Sequence, residues 1–160
     1  NLSVGENIKA AGWLIENVFK KVGISCVVAG HNPTKRLLKM AARCANVRVV
    51  ANPTDDEMSD LISNAHINVL TTDQPTGMKL KLLNALYQGR HCIVNSKMLH
   101  GTGLDSLCIT ADTDASMIIS IEEYMGKPFT AADVAKRSAW LNERFSKRAN
   151  NDKIISLIKW

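Results

Sequence analysis

The stretch that decides the fold is residues 67–94, which read INVL, then TTDQPTGMKLKLLNALYQGR, then HCIV. The runs Ile67–Leu70 and His91–Val94 are short and largely apolar, which is typical of strands covered on both faces of a sheet. Between them, a polar loop at 71–77 leads into apolar residues at helical spacing up to about Gln88. Because crossovers between parallel strands are right-handed, the stretch predicts two parallel strands joined by a helix.

The same alternation continues on both sides of this stretch. Further strands are predicted at 24–29 and 47–50, with a weaker one near 107–109, and helices at 7–21, 34–43, 55–64, 115–124, 131–145 and 152–159. Strands and helices that alternate with short turns favour a parallel sheet covered by helices on both faces. The sequence therefore predicts one α/β domain over residues 1–160, a Rossmann-like three-layer αβα sandwich with a mostly parallel sheet.

Composition and cysteine spacing indicate a globular protein of a reducing compartment. Apolar residues make up 46% and charged residues 22% of the chain, and no apolar run approaches the roughly 18 residues of a membrane-spanning helix. Cys26, Cys44, Cys92 and Cys108 are widely spaced, so we interpret them as reduced, buried thiols and expect a cytoplasmic location. The histidines are equally dispersed, and no metal site is predicted.

The net charge is +5, and much of the positive charge lies toward the carboxyl end. A solvated basic helix face explains this distribution, and peripheral association with an anionic membrane surface is the alternative. The chain has three Trp, two Tyr and three Phe, and they do not interleave with basic residues as they would in a base-stacking platform. We therefore predict no nucleic-acid partner.

The loop at 71–79 carries the strongest signal for a binding site. It leaves a strand and enters a helix, so the unpaired amides of Gly77, Met78 and Lys79 are expected to point toward the strand end, where ligands bind in α/β sheets. Lys79 and Lys81 fall in the predicted first turn, where the helix dipole disfavours cations. A bound diphosphate would remove that conflict, whereas lysines that extend into water would leave it at small cost. The residues alone leave both interpretations open.

Two other loops also end predicted strands. In the first, Gly30 and His31 lie where a ligand could approach the backbone closely, and an ordinary tight turn is the alternative. In the second, Asn52 and Pro53 lead into an acidic helix start that normal capping also explains. These four residues are candidate ligand contacts. Catalytic residues stay unassigned, because the sequence has no Ser-His-Asp or Cys-His arrangement, no Walker-type loop and no Gly-x-Gly-x-x-Gly turn.

Several blocks, taken in order, resemble the donor-binding domain of group 1 (family four) glycosyltransferases, which have the two-domain architecture called GT-B. Residues 27–33, VVAGHNP, are similar to a strand followed by the family's Gly-x-x-Pro turn. Residues 77–86, GMKLKLLNAL, resemble its Gly-x-x-x-Lys-x-Leu-Glu-Ala helix, and residues 89–94, GRHCIV, resemble the Gly-x-Pro-Val-Val segment that follows. The similarity covers nearly the whole chain.

The resemblance implies a retaining transfer of sugar from a nucleoside diphosphate sugar, without a cofactor or essential metal, to a glycan or lipid-linked acceptor, as in polysaccharide biosynthesis. By position, Gly77, Met78 and Lys79 would meet the diphosphate, Thr76 the sugar and Asn84 the ribose. The acceptor would be held by an amino-terminal domain. Since the chain opens at residue 1 without an initiator Met, we expect it to be a segment of a longer protein that cannot complete the transfer alone.

Two positions depart from the family's pattern. Many relatives carry Glu at the positions of Thr76 and Asn84. A carboxylate accepts from two ribose hydroxyls, whereas an amide offers one acceptor oxygen. The usual Arg and Lys near the start of the domain are replaced by residues such as Asn7, so Lys79 and Lys81 are the expected substitutes. A non-catalytic binding or assembly module on the same fold is therefore the rival interpretation.

Overall fold

The computed structural model describes residues 1–77 and 79–145, which divide between two compact units, Asn1–Pro128 and a second that begins at Phe129. The first unit contains α1 (Gly5–Trp13), β1 (Cys26–Gly30), α2 (Lys35–Ala41), β2 (Val47–Ala51), α3 (Asp55–Asn64), β3 (Ile67–Leu70), α4 (Leu80–Gln88), β4 (His91–Val94), α5 (Ser96–Leu99), β5 (Ile109–Thr110) and α6 (Asp114–Met125). The second contains α7 (Ala131–Phe145). The helix predicted at 152–159 lies outside the described residues.

All strand pairs in the structure are parallel, and the predicted α/β class is confirmed. β1 pairs with β2, with Val28 opposite Val49. β4 lies between β3 and β5, with Ile93 opposite both Val69 and Ile109. The described strands therefore form a two-stranded and a three-stranded sheet and not the single sheet expected, because β1 and β3 are not hydrogen-bonded to each other. Each of these two strands keeps one free edge, and every residue of β3 is half-buried.

One hydrophobic core serves both sheets. Its fully buried members include Ile15 and Val18 after α1, Ile93 of β4 and Met117 of α6, and Val28 of β1 belongs to the same cluster. The first helix reaches this core from Ala11 onward. It continues from α1 through a π turn at 14–18 and a 3₁₀ turn at 19–21, which together span the helical pattern predicted from the sequence.

The α4 start and the strand near 107–109 differ from the prediction, and one short helix was not predicted, each for a local reason. The helix expected directly after Gly77 begins at Leu80, because Gly77 has a φ of +84° and Lys79 is non-helical, with φ −94° and ψ 59°. The strand near 107–109 shrinks to β5, since residues 105–107 form a 3₁₀ turn. The short helix α5 was not predicted; a four-residue segment is too short to display helical periodicity.

Asn46 fixes the position of β1 relative to β2. Its side-chain amide nitrogen lies 2.8, 2.9 and 2.9 Å from the carbonyl oxygens of Phe19, Val22 and Ile24. Because the NH₂ group has two hydrogens, one of them is shared between two of these acceptors. The backbone carbonyl oxygen of Asn46 accepts from the backbone N–H of Cys26 at 2.8 Å, where β1 begins. One half-buried side chain therefore contacts three carbonyl groups in the turn between α1 and β1 with its two donor hydrogens.

Two histidines contact the carboxyl end of α6. Nε2 of His66 lies 3.0 Å from the carbonyl oxygen of Tyr124, and Nε2 of His91 lies 3.1 Å from that of Lys127. The two imidazole rings are 5.2 Å apart and packed edge to face. These contacts join the starts of β3 and β4 to the end of α6 and to the turn that follows it.

Burial controls the reactivity of Cys26. Its side chain is buried at the start of β1, and this burial raises the pKa of the thiol to about 11. Since the thiolate is the nucleophile, about one Cys26 in a thousand is ionised at pH 8. We expect iodoacetamide to modify the half-buried Cys44 and Cys108 well before Cys26 in the folded protein, and the rate at Cys26 to rise as the pH approaches 11. Peptide mass spectrometry over a time course checks this order, and rapid labelling of Cys26 at pH 8 would contradict it.

Candidate functional site

Two cavities open where the carboxyl ends of β3, β4 and β5 meet α1. The first, which we call the α1–α4 cavity, has a volume of about 360 Å³ and is lined by Glu6, Asn7, Thr72, Gln74, Thr76, Gly77, Lys79, Leu80 and Lys81. The second, the α1–β5 cavity, has a volume of about 600 Å³ and is lined by Lys9, Ala10, Trp13, Thr71, Thr72, Asp73, Asn95, Ser96, Lys97 and Asp112. Thr72 lines both, so the cavities are adjacent.

The start of α1 is held at the carboxyl end of β1. The Leu2 N–H donates to the carbonyl oxygen of His31 at 2.6 Å, and the Leu2 side chain packs over Gly30, where a Cβ atom would lie 2.9 Å from it. Gly30 therefore has a packing role that is independent of any ligand. α1 itself begins after Val4 without a side-chain cap, so its first amides lack a partner from the capping side chain.

Thr72 connects the two walls of the α1–α4 cavity. Its hydroxyl donates to the carboxylate of Glu6 on α1 and accepts from the N–H of Gln74 at 3.1 Å. Its backbone N–H and carbonyl both bond the side chain of Asn95, at 3.1 and 2.7 Å, which ties the end of β3 to the end of β4. The position of Glu6 is therefore fixed by a residue that the sheet itself holds in place.

The two lysines of the cavity have different partners. The Lys79 ammonium donates to the carbonyl oxygens of Gln74 and Thr76 at 2.6 and 2.9 Å, and so holds the loop before α4 in shape. The Lys81 ammonium donates to the carbonyl oxygen of Thr71 at 3.1 Å, at the end of β3. Burial lowers the pKa of Lys81, the Glu6 carboxylate opposes that shift, and Lys79 adds to it. A bound anion would oppose the effect of burial and favour the charged form of Lys81.

The charges distinguish the two cavities. The described residues of the α1–α4 cavity include two lysines and one glutamate, and the first turns of α1 and α4 both lie in its wall. Helix starts carry partial positive charge and free amides, so this cavity is suited to an anion. The α1–β5 cavity balances two lysines with Asp73 and Asp112. Within it, the buried hydroxyl of Thr71 has no hydrogen-bond partner among the described residues.

Four of the residues predicted from the sequence, Thr76, Gly77, Lys79 and Lys81, line the same cavity. Met78 lies outside the described residues. Asn84 is exposed on α4 and lines neither cavity.

The other four candidates, Gly30, His31, Asn52 and Pro53, lie together at the ends of β1 and β2. There the Asn52 N–H donates to the carbonyl oxygen of Gly30 at 3.0 Å, and none of the four lines either cavity. The ligand contacts assigned to these residues remain predictions.

Sequence reasoning missed Glu6, Thr72 and Gln74. No spacing rule relates Glu6 to Thr72, because 66 residues separate them and the fold alone brings them together. Position in the fold could have indicated these residues. In a parallel sheet, the residues just beyond the carboxyl end of each strand lie at the same edge as the first turns of the helices that connect the strands.

Two searches over the described residues gave negative results. Residues 1–77 and 79–145 contain no group of three or more His, Cys, Asp or Glu side chains placed to hold a metal ion. In the same residues, no helix combines the length and the apolar character needed to cross a bilayer.

Comparison with known proteins gives one match. Residues 2–126 match the family described as Glycosyl transferases group 1. No curated protein and no solved structure gave a significant match. The matched region includes all five strands and both cavities, and it covers well over half of the 160 residues. On this match, the chain belongs to the group 1 glycosyltransferases.

Proposed function

We propose that this chain is the donor-binding half of a family-four GT-B glycosyltransferase, and that it binds a nucleoside diphosphate sugar with the diphosphate in the α1–α4 cavity. The observation that carries the proposal is the convergence of Lys79, Lys81 and two helix starts on one cavity at the carboxyl edge of the sheet. Phosphates bind where cations and helix amides converge. Family membership supplies the second support, since glycosyl transfer requires an activated sugar.

The residues of the α1–α4 cavity have different roles in this proposal. Lys81 neutralises the diphosphate directly, because its ammonium lines the cavity and is partly desolvated, so that a bound anion favours its charged form. Lys79 keeps the loop closed through its bonds to Gln74 and Thr76. Gly77 permits the turn, since its φ of +84° is unfavourable for residues that carry a Cβ atom. Neither a metal nor a cofactor is required, because lysine and helix amides supply the positive charge.

The remaining parts of the reaction lie elsewhere. We propose that the sugar passes to a glycan or lipid-linked acceptor, in polysaccharide biosynthesis, and that an amino-terminal domain holds this acceptor. The 160-residue chain then binds the donor without completing the transfer. A cytoplasmic location with peripheral membrane contact through the basic carboxyl-terminal part is consistent with this scheme and with the net charge of +5.

A second candidate function is a non-catalytic binding module on the same fold. The observation that favours it is the pair Thr76 and Asn84, which stand where many relatives carry glutamates. Asn84 is exposed and lines neither cavity. A chain of this kind would bind a glycan in the absence of nucleotide, and glycan binding without nucleotide binding would favour it over the first proposal.

A thermal-shift screen tests the proposed function. We expect at least one of UDP, GDP and ADP, or one of their sugars, to stabilise the chain by about 2.7 kcal/mol at 100 times its dissociation constant. For a domain of this size that corresponds to a rise in Tm of about 5–10 °C. EDTA should leave the shift unchanged. A flat response to every nucleotide would contradict nucleotide binding, and loss of the shift in EDTA, restored by Mg²⁺, would contradict the metal-free site.

A further inference from the structure

The α1–α4 cavity already contains an anion that belongs to the protein. Glu6 is the one acidic residue among the described residues that line it. Its carboxylate accepts the Thr72 hydroxyl, and it lies close enough to Lys81 to oppose the effect of burial on that lysine. Glu6 is the second residue of α1, so it also lies within the first turn, whose partial positive charge favours a carboxylate.

The donor groups around Glu6 are also the groups that a phosphate would bind. A phosphate oxygen binds hydroxyl and ammonium donors and the amides at helix starts, and the cavity offers them at Thr72, Lys81 and the first turns of α1 and α4. The carboxylate and the phosphate are both acceptors and both negatively charged, so they cannot share the same donors without repulsion. A phosphate therefore competes with Glu6 for the Thr72 hydroxyl, and their mutual repulsion opposes binding while Glu6 keeps its place.

We propose that Glu6 is an internal competitor for the anion site: a phosphate group binds only by displacing the Glu6 carboxylate from the Thr72 hydroxyl. The inference rests on the proposed function for the identity of the ligand as a nucleoside diphosphate. It adds a residue that sets how tightly the site binds phosphate. The competition weakens binding of every anion, so it also favours release of the diphosphate product after the sugar has left.

A charge-removing substitution tests this directly. Glu6→Gln keeps the size and one acceptor oxygen but removes the negative charge, so we expect its affinity for UDP to rise about tenfold, equivalent to about 1.4 kcal/mol. Glu16→Gln is the matched control. Glu16 lies in the π turn at 14–18 that follows α1, is exposed, and lines neither cavity. It should bind UDP as the wild type does. Isothermal titration calorimetry of the three proteins gives the comparison.

The Tm of the ligand-free protein separates competition from a general effect on folding. Glu6→Gln removes a charge-assisted hydrogen bond to Thr72, so its Tm should fall slightly or stay the same while its affinity rises. A substitution that only stabilises or loosens the fold is not expected to lower the Tm and raise the affinity for UDP at the same time. Unchanged affinity overturns the proposal, and so does weaker binding, which would make Glu6 an acceptor for ligand hydroxyl groups.

Inorganic pyrophosphate keeps the two proposals distinguishable. If neither the wild type nor Glu6→Gln binds UDP, GDP or ADP, the proposed nucleotide-binding function fails, while pyrophosphate still reports on the anion site. Binding of pyrophosphate that is tighter in Glu6→Gln than in Glu16→Gln supports the competitor role by itself. Equal or undetectable binding of pyrophosphate in both variants overturns it.

Discussion

Replacing Lys81 with Met is expected to weaken UDP binding by about tenfold to 150-fold. A hydrogen bond to a charged group contributes about 1.5–3 kcal/mol, which converts to that range of dissociation constants. Met keeps the length of the side chain and its packing on α4 but removes the ammonium group that now donates to the carbonyl oxygen of Thr71. The loss should be measured by calorimetry, and circular dichroism should show that the fold is intact.

Lys39→Met is the control for this substitution. Lys39 lies in the last turn of α2, is exposed and lines neither cavity, so its variant changes the net charge by the same amount at a distance from the site. We expect it to bind UDP within about twofold of the wild type, since one exposed charge is largely screened. If both variants lose the same affinity, Lys81 acts through overall charge and not through contact, and its assignment to the diphosphate is wrong.

The same lysine predicts the direction of a pH effect. Burial lowers the pKa of Lys81, and a bound diphosphate would favour the charged ammonium and raise that pKa again. The complex therefore binds a proton more tightly than the free protein does. Affinity should be greatest below the pKa of Lys81 in the free protein and should fall as the pH rises through it. Lys81→Met should lose this alkaline decline.

Asn46→Asp is expected to destabilise the first unit by about 3 kcal/mol or more, a large part of the 5–15 kcal/mol of a typical domain. The Asn46 amide nitrogen lies within 2.9 Å of three carbonyl oxygens, so an aspartate would place a carboxylate oxygen against these three acceptors. Asn46→Ala removes the donors without adding charge and should cost about 1–3 kcal/mol. The predicted order of free energies of unfolding is therefore wild type, then Ala, then Asp.

Urea denaturation followed by circular dichroism measures that order. Asn142→Asp, at an exposed position of α7, is the matched control and should change the free energy of unfolding by about 0.5 kcal/mol or less. An Asn46→Asp variant no less stable than Asn46→Ala would contradict the donor role of the amide. It would mean that the three carbonyl groups are satisfied in another way.

The sequence predicted those parts of the structure that depend on local pattern. The apolar run at 67–70 and the helical spacing up to Gln88 gave β3 and α4 because burial on both faces and one buried stripe leave direct traces in the residue order. The start of α4 was placed two residues early, since the left-handed conformation of Gly77 is set by the loop and not by periodicity. Glu6 was missed because its partner Thr72 is distant in sequence, and only the packed fold brings them together.

The contacts at the end of α6 determine the proton positions on two imidazole rings. A carbonyl oxygen only accepts, so Nε2 of both His66 and His91 must carry a hydrogen, and the neutral tautomer of each ring is the one protonated at Nε2. A ring protonated only at Nδ1 would place the Nε2 lone pair against a carbonyl oxygen. The packing of the α6 end against β3 and β4 therefore selects one neutral tautomer of each ring.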